Sequence, residues 1–385
     1  MKPLLRLSTA ALAAGMLASL LASCSGSTTQ PANPSPVYPD EETVQPGLSA
    51  SVPAPSESPL PVLEPNNAAR LAKVGQAGID AEGISALAWS PDGATIAVAT
   101  ANGVFLFDTV FLQQNGQLAA GEAIQSLVYS PDGRLLVTIP FEQNATAQIW
   151  DTTSRQEANL LAGRLGGVRS VAFSAERSMI ATGGLDGVVT LWDWDTQQLI
   201  RNINLNATVG DITGGQIVGV GDLRFSPDGT ILAGAGDLGS GILILWSTND
   251  GSVQRTLTAM GHIAGPAATP LLPPDDWNHV YWWSRGSIIQ VDVSTDQEGL
   301  RFSHEDFVAS ASFSPDGLIL ATASAGTVHD GYAPLVKLWD VSGGQELVTL
   351  TGFSNVPTAL GFSPDGRLLA IASNEDGLTI GGVQP

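Results

Sequence analysis

The sequence has few charged residues and very few basic ones. Only 14% of its 385 residues are charged, and 16 Lys and Arg stand against 37 Asp and Glu, a formal net charge of −21. The only lysines, Lys2, Lys73 and Lys337, cannot form a basic stripe. Phosphate binding depends on clustered Lys and Arg. The composition therefore argues against a nucleic-acid-binding protein, and we expect no nucleic acid among the partners.

Cysteine is almost absent as well. A single thiol, Cys24, excludes internal disulfides, thiolate zinc clusters and a buried catalytic thiol in the folded part of the chain. The string Gly234–Gly239 has the glycine spacing of a dinucleotide site. It falls between two predicted strands, where a hairpin is required, and not before a helix whose amino terminus could hold a phosphate. The sequence therefore predicts no cofactor.

The histidines form no metal motif. None of the four has a second histidine three or four positions further on: His262, His279, His304 and His329. Short zinc sites and zinc-protease helices need that spacing. We predict no metal site and no catalytic residue. A catalytic pair of carboxylates brought together from distant loops stays open, but no motif identifies which residues would form it.

Residues 1–23 predict an export signal. Lys2 and Arg6 form a short positive region, and residues 7–22 are mostly Leu and Ala, too short and too weakly apolar for a membrane-spanning helix. The segment ends in Leu21-Ala22-Ser23-Cys24, which resembles the lipobox of bacterial lipoproteins. The resemblance implies cleavage before Cys24, a diacylglycerol thioether on its sulfur and usually acylation of its new amino group. An ordinary signal peptide with an incidental cysteine is the alternative.

The lipobox resemblance implies a location on the extracytoplasmic side of a cell membrane or outer membrane. Two or three acyl chains anchor a protein stably where a single chain binds marginally. Cleavage leaves 14 basic residues against 37 acidic ones, a net charge of −23. Anionic lipid repels such a body, so we expect the membrane to be contacted through the N-terminal lipid only.

Residues 24–67 predict a disordered tether behind the lipidated cysteine. Residues 25–66 hold ten prolines, seven serines, five acids, no Lys or Arg and one aromatic residue, Tyr38. Such a segment buries too little apolar surface to offset the entropy lost on ordering. Its reach is at most about 130 Å in polyproline II, or about 35–40 Å as a flexible coil. Either length holds a folded domain clear of a membrane.

One turn motif recurs through residues 68–385. Five copies have the sequence Ser-Pro-Asp-Gly, Ser174–Arg177 is a degraded copy, and Pro273–Asp276 occupies the remaining slot. Ser, Pro and Gly at the first, second and fourth positions are preferences of a type I turn. The seven copies begin at residues 90, 130, 174, 226, 273, 314 and 363, at spacings of 40 to 52 residues.

Apolar runs flank each turn and predict strands. The run before a turn, such as Ser170–Phe173, and the run after it, such as Leu318–Thr322, are nearly continuous, which fits strands covered on both faces. A further run ends in Trp-Asp, as at Trp150-Asp151, Trp192-Asp193 and Trp339-Asp340. No window shows sustained helical periodicity, so we expect little helix.

A period of 40–45 residues with four strands and a Trp-Asp ending resembles the WD-repeat β-propeller family. The resemblance covers residues 69–385. It implies an all-β, seven-bladed propeller of four-stranded antiparallel blades that serves as a rigid platform for protein partners. The family's Gly-His pair occurs once, as Gly261-His262, so its Asp-His-Ser/Thr-Trp hydrogen-bond network cannot be complete in most blades. Propellers of the Tol system share the Ser-Pro-Asp-Gly turn and are the alternative family.

The ends of the repeat region predict how the ring closes. The last copy supplies three strands over about residues 356–383, and one strand is left over at the start, over Ala69–Val74. We expect this N-terminal strand to complete blade seven, because it would pair an edge that is otherwise exposed.

The longest connections predict a candidate recognition site. The strands of a blade are named a to d from the inside outward. The d–a and b–c connections form one face of a propeller, the loop face, and the a–b and c–d connections form the turn face. Extra length occurs in residues 206–219, 259–268 and 325–335, all on the loop face of blades four to six. Rigid strands commonly carry recognition on such loops. The candidate partner-binding residues there are Asp211, Asp237, Arg285, His329, Asp330 and Tyr332. Loop drift without a ligand is the alternative, with Asp237 and Asp330 as structural aspartates of their turns.

Blade five carries an unusual aromatic cluster over Trp277–Trp283. Aligned on blade six, Tyr281 and Trp283 take the place of Ala321 and Ala323, so we expect large rings to fill core space there. A sugar-stacking patch is the alternative, with Trp277 as the exposed ring and a further candidate contact.

Three functions follow from these observations. We predict a monomeric, non-catalytic scaffold that binds unidentified protein partners. A propeller lyase or hydrolase acting on a cell-wall or extracellular substrate is the second hypothesis, and a carbohydrate-binding propeller is the third. The fold alone does not choose among them.

Overall fold

The computed structural model describes most of the chain after the predicted tether. The described residues are 60–80, 82–142, 146–158, 167–196, 198–207, 219–236, 241–258, 271–274, 276–284, 286–325 and 333–384. Cys24, the predicted signal and most of the predicted tether lie outside them. Within these ranges no helix has the length and apolar character needed to cross a bilayer.

The described residues form short strands of similar length. In chain order they are β1 (Leu71–Ala77), β2 (Ala86–Trp89), β3 (Thr95–Thr100), β4 (Gly103–Asp108), β5 (Gln114–Leu118), β6 (Ile124–Tyr129), β7 (Leu135–Pro140), β8 (Gln148–Asp151), β9 (Val168–Ser174), β10 (Met179–Gly184), β11 (Val188–Asp193), β12 (Leu199–Asn204), β13 (Val220–Phe225), β14 (Ile231–Gly236), β15 (Ile242–Ser247), β16 (Val253–Thr258), β17 (His279–Ser284), β18 (Ser287–Asp292), β19 (Glu298–Ser303), β20 (Val308–Phe313), β21 (Ile319–Ser324), β22 (Leu335–Asp340), β23 (Glu346–Leu350), β24 (Pro357–Phe362), β25 (Leu368–Ser373) and β26 (Gly377–Val383).

These strands form seven antiparallel sheets, the blades of a propeller. Blades one, three, four and six are β2–β5, β9–β12, β13–β16 and β20–β23, and blade seven joins β24–β26 to β1. Blades two and five are β6–β8 and β17–β19 within the described residues. Isolated bridges extend both: Glu157 pairs with Trp150 outside β8, and Leu271 pairs with Tyr281 inside β17. The prediction of an all-β, seven-bladed propeller is confirmed.

Strand β1 closes the ring as the fourth strand of blade seven. Its register runs from Leu71 opposite Val383 to Ala77 opposite Leu378, with a bulge between Lys73 and Gly75. The prediction of closure is confirmed. The predicted start of the strand is wrong by two residues, because Ala68–Arg70 form a 3-10 turn in which the N–H of Arg70 bonds to the carbonyl of Asn67 (2.9 Å).

Residues 60–67 pack on the turn face of blade seven before the ring begins. The N–H of Leu63 donates to the carbonyl of Gly366 (2.9 Å), in the a–b turn of that blade. Leu63 is fully buried in the core between blades six and seven, and the Asn67 amide donates to the carbonyl of Val62 (2.8 Å). The chain therefore reaches the propeller on the turn face.

The hydrophobic core lies between neighbouring blades. Each b strand is buried along almost its whole length, as in β21, because it faces a blade on either side. This explains the continuous apolar runs of the sequence, since an alternating pattern would place polar side chains in one of the two interfaces.

Candidate functional site

The turn face is built from one repeated hydrogen-bonded turn. The Ser90 hydroxyl donates to Asp92 Oδ1 (2.6 Å) and accepts the N–H of Thr95 (2.9 Å). The Asp92 carboxylate also accepts the N–H of Ala94 (3.0 Å). The Ser90 hydroxyl, followed by that N–H, lowers the pKa of Asp92. The same serine bonds recur in the other Ser-Pro-Asp-Gly turns, at Ser130, Ser226, Ser314 and Ser363.

The aspartate of each Trp-Asp ending caps the following c–d turn. Asp151 Oδ1 accepts the N–H (2.7 Å) and the hydroxyl (2.9 Å) of Ser154, and these bonds lower the pKa of Asp151. At Asp292 the hydroxyl of Ser294 is the largest cause, and the pKa falls to about 2. These carboxylates are ionised and accept hydrogen bonds from residues of their own turns. Equivalent caps are made by Asp193 and Asp340.

In blades one, two, four, five and six the c–d turn also meets the d strand of the preceding blade at the rim. The residue four positions after the capping aspartate has left-handed backbone, as at Leu112 (φ 53°) and Arg155 (φ 58°). In four of these contacts between a c–d turn and a d strand, a large side chain from one of the two blades lies against a glycine of the other blade. The pairs are Leu112 with Gly75, Arg155 with Gly116, Arg201 with Gly251, and Leu300 with Gly344.

The described strand ends that flank the three long connections lie on the loop face. Residues 204 and 220 end β12 and begin β13, residue 258 ends β16, and residues 324 and 335 end β21 and begin β22. The antiparallel order puts all of these ends on one face of the ring. Six predicted contacts lie outside the described residues: Asp211, Asp237, Arg285, His329, Asp330 and Tyr332. Their roles stay predictions.

Described aspartates in comparable b–c turns act as caps. Asp186 Oδ1 accepts the N–H of Val188 (3.0 Å) in blade three, and Asp376 Oδ2 accepts the hydroxyl of Ser373 (2.8 Å) in blade seven. This behaviour supports the structural alternative for Asp237 and Asp330.

Of the two rings predicted to fill the core of blade five, Tyr281 is fully buried, and Trp283 is partly buried against the same cluster. Trp282, for which core filling was not predicted, is almost completely buried as well. The Gln290 amide donates to the Tyr281 hydroxyl (2.9 Å), and burial raises the pKa of Tyr281 to about 12. Trp277 is half-buried against the core between blades four and five, and its indole Nε1 is buried without a hydrogen-bond partner among the described residues. It therefore presents no fully open ring for stacking.

A hydrogen-bond network in blade six includes a histidine that sequence reasoning missed. Trp339 Nε1 donates to Thr322 Oγ1 (2.7 Å), and His304 Nε2 lies 2.5 Å from the same hydroxyl. Burial, followed by the charge of Lys337, lowers the pKa of His304 to about 4, so the ring is neutral at pH 7. His304 was overlooked because serine, not glycine, precedes it. In blades two and three Trp150 and Trp192 bond to the equivalent threonines without a histidine in the described residues.

Blade four departs from this pattern. Gly234 stands where blades two, three and six have threonine, and the Trp246 ring occupies the space that a Cβ there would need. Trp246 is fully buried, and its Nε1 has no hydrogen-bond partner in the part of the chain that the structure describes. The glycine that matched a dinucleotide motif thus has a packing role.

Two polar features are open to solvent. Asp222 is exposed on the innermost strand of blade four, with Arg224 nearby on the same strand. Arg224 itself donates to the carbonyl of Leu272 in blade five. Beside blade two, a cavity of about 470 Å³ is lined in part by Glu122, Glu142 and Glu157. Within the described ranges no group of three or more His, Cys, Asp or Glu is arranged to hold a metal ion.

The comparisons with known proteins agree with this architecture. The family model described as "WD domain, G-beta repeat" matches residues 156–193 and 298–331. Each matched segment begins at an outer strand and continues into the next blade, the same offset that lets β1 close the ring.

Curated relatives carry related repeats. The chain is 27% identical to pre-mRNA-processing factor 19 homolog 2 of Arabidopsis thaliana over 223 residues, 56% of this chain and 38% of the relative. It is 32% identical to apoptotic protease-activating factor 1 of Homo sapiens over 121 residues, 31% of this chain and 9% of the relative. It is 30% identical to WD repeat-containing protein SL1-17 of Schistosoma mansoni over 202 residues, 52% of this chain and 60% of the relative. The chain thus spans less than two thirds of these relatives. With the seven closed blades and the recurring Trp-Asp caps, these matches show that the chain belongs to the WD-repeat β-propeller family.

Proposed function

We propose that this protein is a lipid-anchored scaffold whose propeller binds a protein partner on the extracytoplasmic side of a membrane, without catalysis. Membership in the WD-repeat family is the observation that carries the scaffold. The proposed location comes from the lipobox-like sequence that ends at Cys24.

The use of ionisable groups in the described residues supports a binding role. An enzyme site needs several ionisable groups that converge with perturbed pKa values. Here most of the carboxylates with lowered pKa values each cap a turn, and the neutral His304 is bonded inside a blade. Burial of Tyr281 and Trp282 in blade five removes the flat aromatic surface that a carbohydrate-binding function would use.

Partner capture tests the scaffold. The tagged full chain is cross-linked reversibly in intact cells and its partners are identified by mass spectrometry. We expect a specific protein whose recovery falls with His329→Ala and Tyr332→Ala on the loop face and is unchanged by Arg134→Ala on the turn face. Turnover of a glycan or peptide by the purified chain, with no partner recovered, would reverse the assignment to an enzyme.

Fractionation tests the anchor separately. Cys24→Ala removes the only thiol that can carry the diacylglycerol. We predict that the variant moves from the membrane to the soluble fraction, because the anionic propeller has little affinity of its own for anionic lipid. Membrane retention equal to that of the wild type would refute lipidation.

A further inference from the structure

The c–d turn of blade one has an apolar tip, unlike the same turn in the other described blades. Val110 is 67% exposed and Phe111 is 71% exposed, side by side. They stand two and three residues after the capping Asp108. Where a c–d turn is described in another blade, these two positions carry Thr153 and Ser154, Asp195 and Thr196, Asn249 and Asp250, Ser294 and Thr295, or Ser342 and Gly343.

The turn of blade one does not need its apolar residues to form. Asp108 Oδ1 accepts the N–H of Phe111 (2.7 Å), the bond that also caps the turns of blades two, three and five, and Oδ2 accepts the N–H of Gln113 (3.1 Å). Leu112 has the same left-handed backbone as its counterparts and packs on Gly75 of β1. The turn therefore holds Val110 and Phe111 out into solvent, where apolar side chains are costly without a partner.

An exposed apolar residue of strand β1 adjoins this tip. Val74, beside Gly75, is 42% exposed and lies on the side of blade seven that meets blade one. We call Val74, Val110 and Phe111 the rim patch. It lies at the turn-face rim where blades seven and one meet.

The chain leaves the propeller toward its N-terminus beside the rim patch. The side chains of Leu60 and Val74 both lie on Gly382, and Arg367 donates to the carbonyl of Leu60. Cys24, the predicted lipidation site, is 36 residues before Leu60. A membrane that holds the anchor is thus within easy reach of this rim.

We propose that the rim patch rests on the surface of the lipid bilayer that holds the anchor, so that the propeller stands on its edge at blades seven and one. This inference rests on the lipid anchor of the proposed function, and it adds a second membrane contact to the one expected from the sequence, which was through the N-terminal lipid only. Phenylalanine and valine enter the boundary between headgroups and acyl chains. The remainder of the turn face carries ionised aspartates, such as Asp92 and Asp292, which anionic headgroups repel. Contact at the rim of blades seven and one lets the rim patch touch lipid while the rest of the turn face stays in water.

The test uses the lipidated full chain, in which acylation blocks the only native thiol. The Phe111→Cys variant is labelled with NBD, a fluorophore that is sensitive to its environment, and is bound to vesicles. The vesicles consist of phosphatidylethanolamine with a minority of phosphatidylglycerol and of nitroxide-labelled lipid, which quenches NBD. The matched control is the same label at Phe141→Cys, because Phe141 is also an exposed phenylalanine (53%) but follows β7 on the loop face. We expect a blue shift and about threefold stronger quenching at position 111.

A second variant removes the apolar tip and keeps the turn. Val110→Thr with Phe111→Ser gives blade one the tip of blade two, Thr153 and Ser154, which closes the same turn. NBD at Val74→Cys then measures how close the rim patch is to lipid. Its quenching should be lower by about twofold or more in the chain with both tip substitutions than in the chain without them.

The possible results separate the two proposals. Flotation with vesicles and the mass of the modified Cys24 report the anchor, and a chain that does not float overturns the anchor and this docking together. A chain that floats with equal quenching at positions 111 and 141 leaves the anchor in place and overturns the rim docking. A blue shift that appears without vesicles and rises with protein concentration would assign the patch to a second copy of the chain and would also overturn it.

Discussion

The tryptophans at the equivalent position of blades four and six should differ sharply in what they lose on replacement by phenylalanine. Trp339→Phe removes the bond from Nε1 to Thr322 Oγ1 (2.7 Å), whereas Trp246→Phe removes an N–H that has no partner among the described residues. Both substitutions shrink a buried ring by the same amount, so the cost of the cavity is shared.

The structure gives the size of the difference. A buried hydrogen bond contributes about 1 kcal/mol net, and an unsatisfied buried donor costs about 1–3 kcal/mol in the wild type. Trp339→Phe loses the net energy of the hydrogen bond, whereas Trp246→Phe removes the unsatisfied donor and with it the cost of burying that donor. We therefore expect Trp339→Phe to be more destabilising than Trp246→Phe by about 3 kcal/mol.

The assay is equilibrium urea unfolding followed by far-UV circular dichroism, which does not depend on tryptophan emission. Trp192→Phe is the intermediate case, because its bond to Thr182 Oγ1 is longer (3.2 Å). Equal unfolding midpoints for the variants at Trp246 and Trp339 would refute the assignment of the orphan N–H and of the blade-six network.

Two further predictions concern His304 and the rim joint. Burial holds the pKa of His304 at about 4 against an ordinary value of 6.5, so the unfolded chain takes up its proton first as the pH falls. The wild type should lose on the order of 2 kcal/mol relative to His304→Gln between pH 6.5 and 4, with no divergence above pH 7, measured as unfolding free energies at each pH. Parallel pH profiles would contradict this assignment. Gly75→Ala should destabilise by about 1 kcal/mol, the low end of overpacking costs, because its Cβ overlaps the end of the Leu112 side chain and that side chain can shift. Leu112→Ala in the same chain should recover part of that loss, a coupling read from a double-mutant cycle. Additive costs would show that the two residues do not share a joint.

The blade count and the closure were predictable because both depend on local chemistry and periodicity. The Ser-Pro-Asp-Gly turn closes through bonds among its own residues and the two that follow, so it can be recognised in any copy. The surplus strand at one end and the missing strand at the other then fixed how β1 pairs.

Contacts between blades were not predictable in the same way. Leu112 and Gly75 belong to different blades, and nothing in either repeat indicates that they meet. His304 was missed because its role depends on the position of its imidazole ring in the fold, and the identity of the preceding residue does not indicate that position. Gly234 did carry a signal, since aligning the b strands would have shown a missing threonine beside Trp246. The candidate contacts on the loop face lie outside the described residues, so the partner-binding site stays a prediction.

Closure by β1 decides which connections share a face and where the rim patch lies. It can be tested with paired cysteines in a Cys24→Ala background, because antiparallel partners are close enough for a disulfide. Gln76 lies opposite Thr379 across β1 and β26, and Gln117 holds the equivalent place in blade one, opposite Phe105. If β1 closes the ring, Gln76→Cys with Thr379→Cys forms a disulfide and Gln117→Cys with Thr379→Cys forms none, seen as a mobility shift without reductant. Failure of the first pair to cross-link, or equal cross-linking of both, would contradict a ring closed by its N-terminal strand.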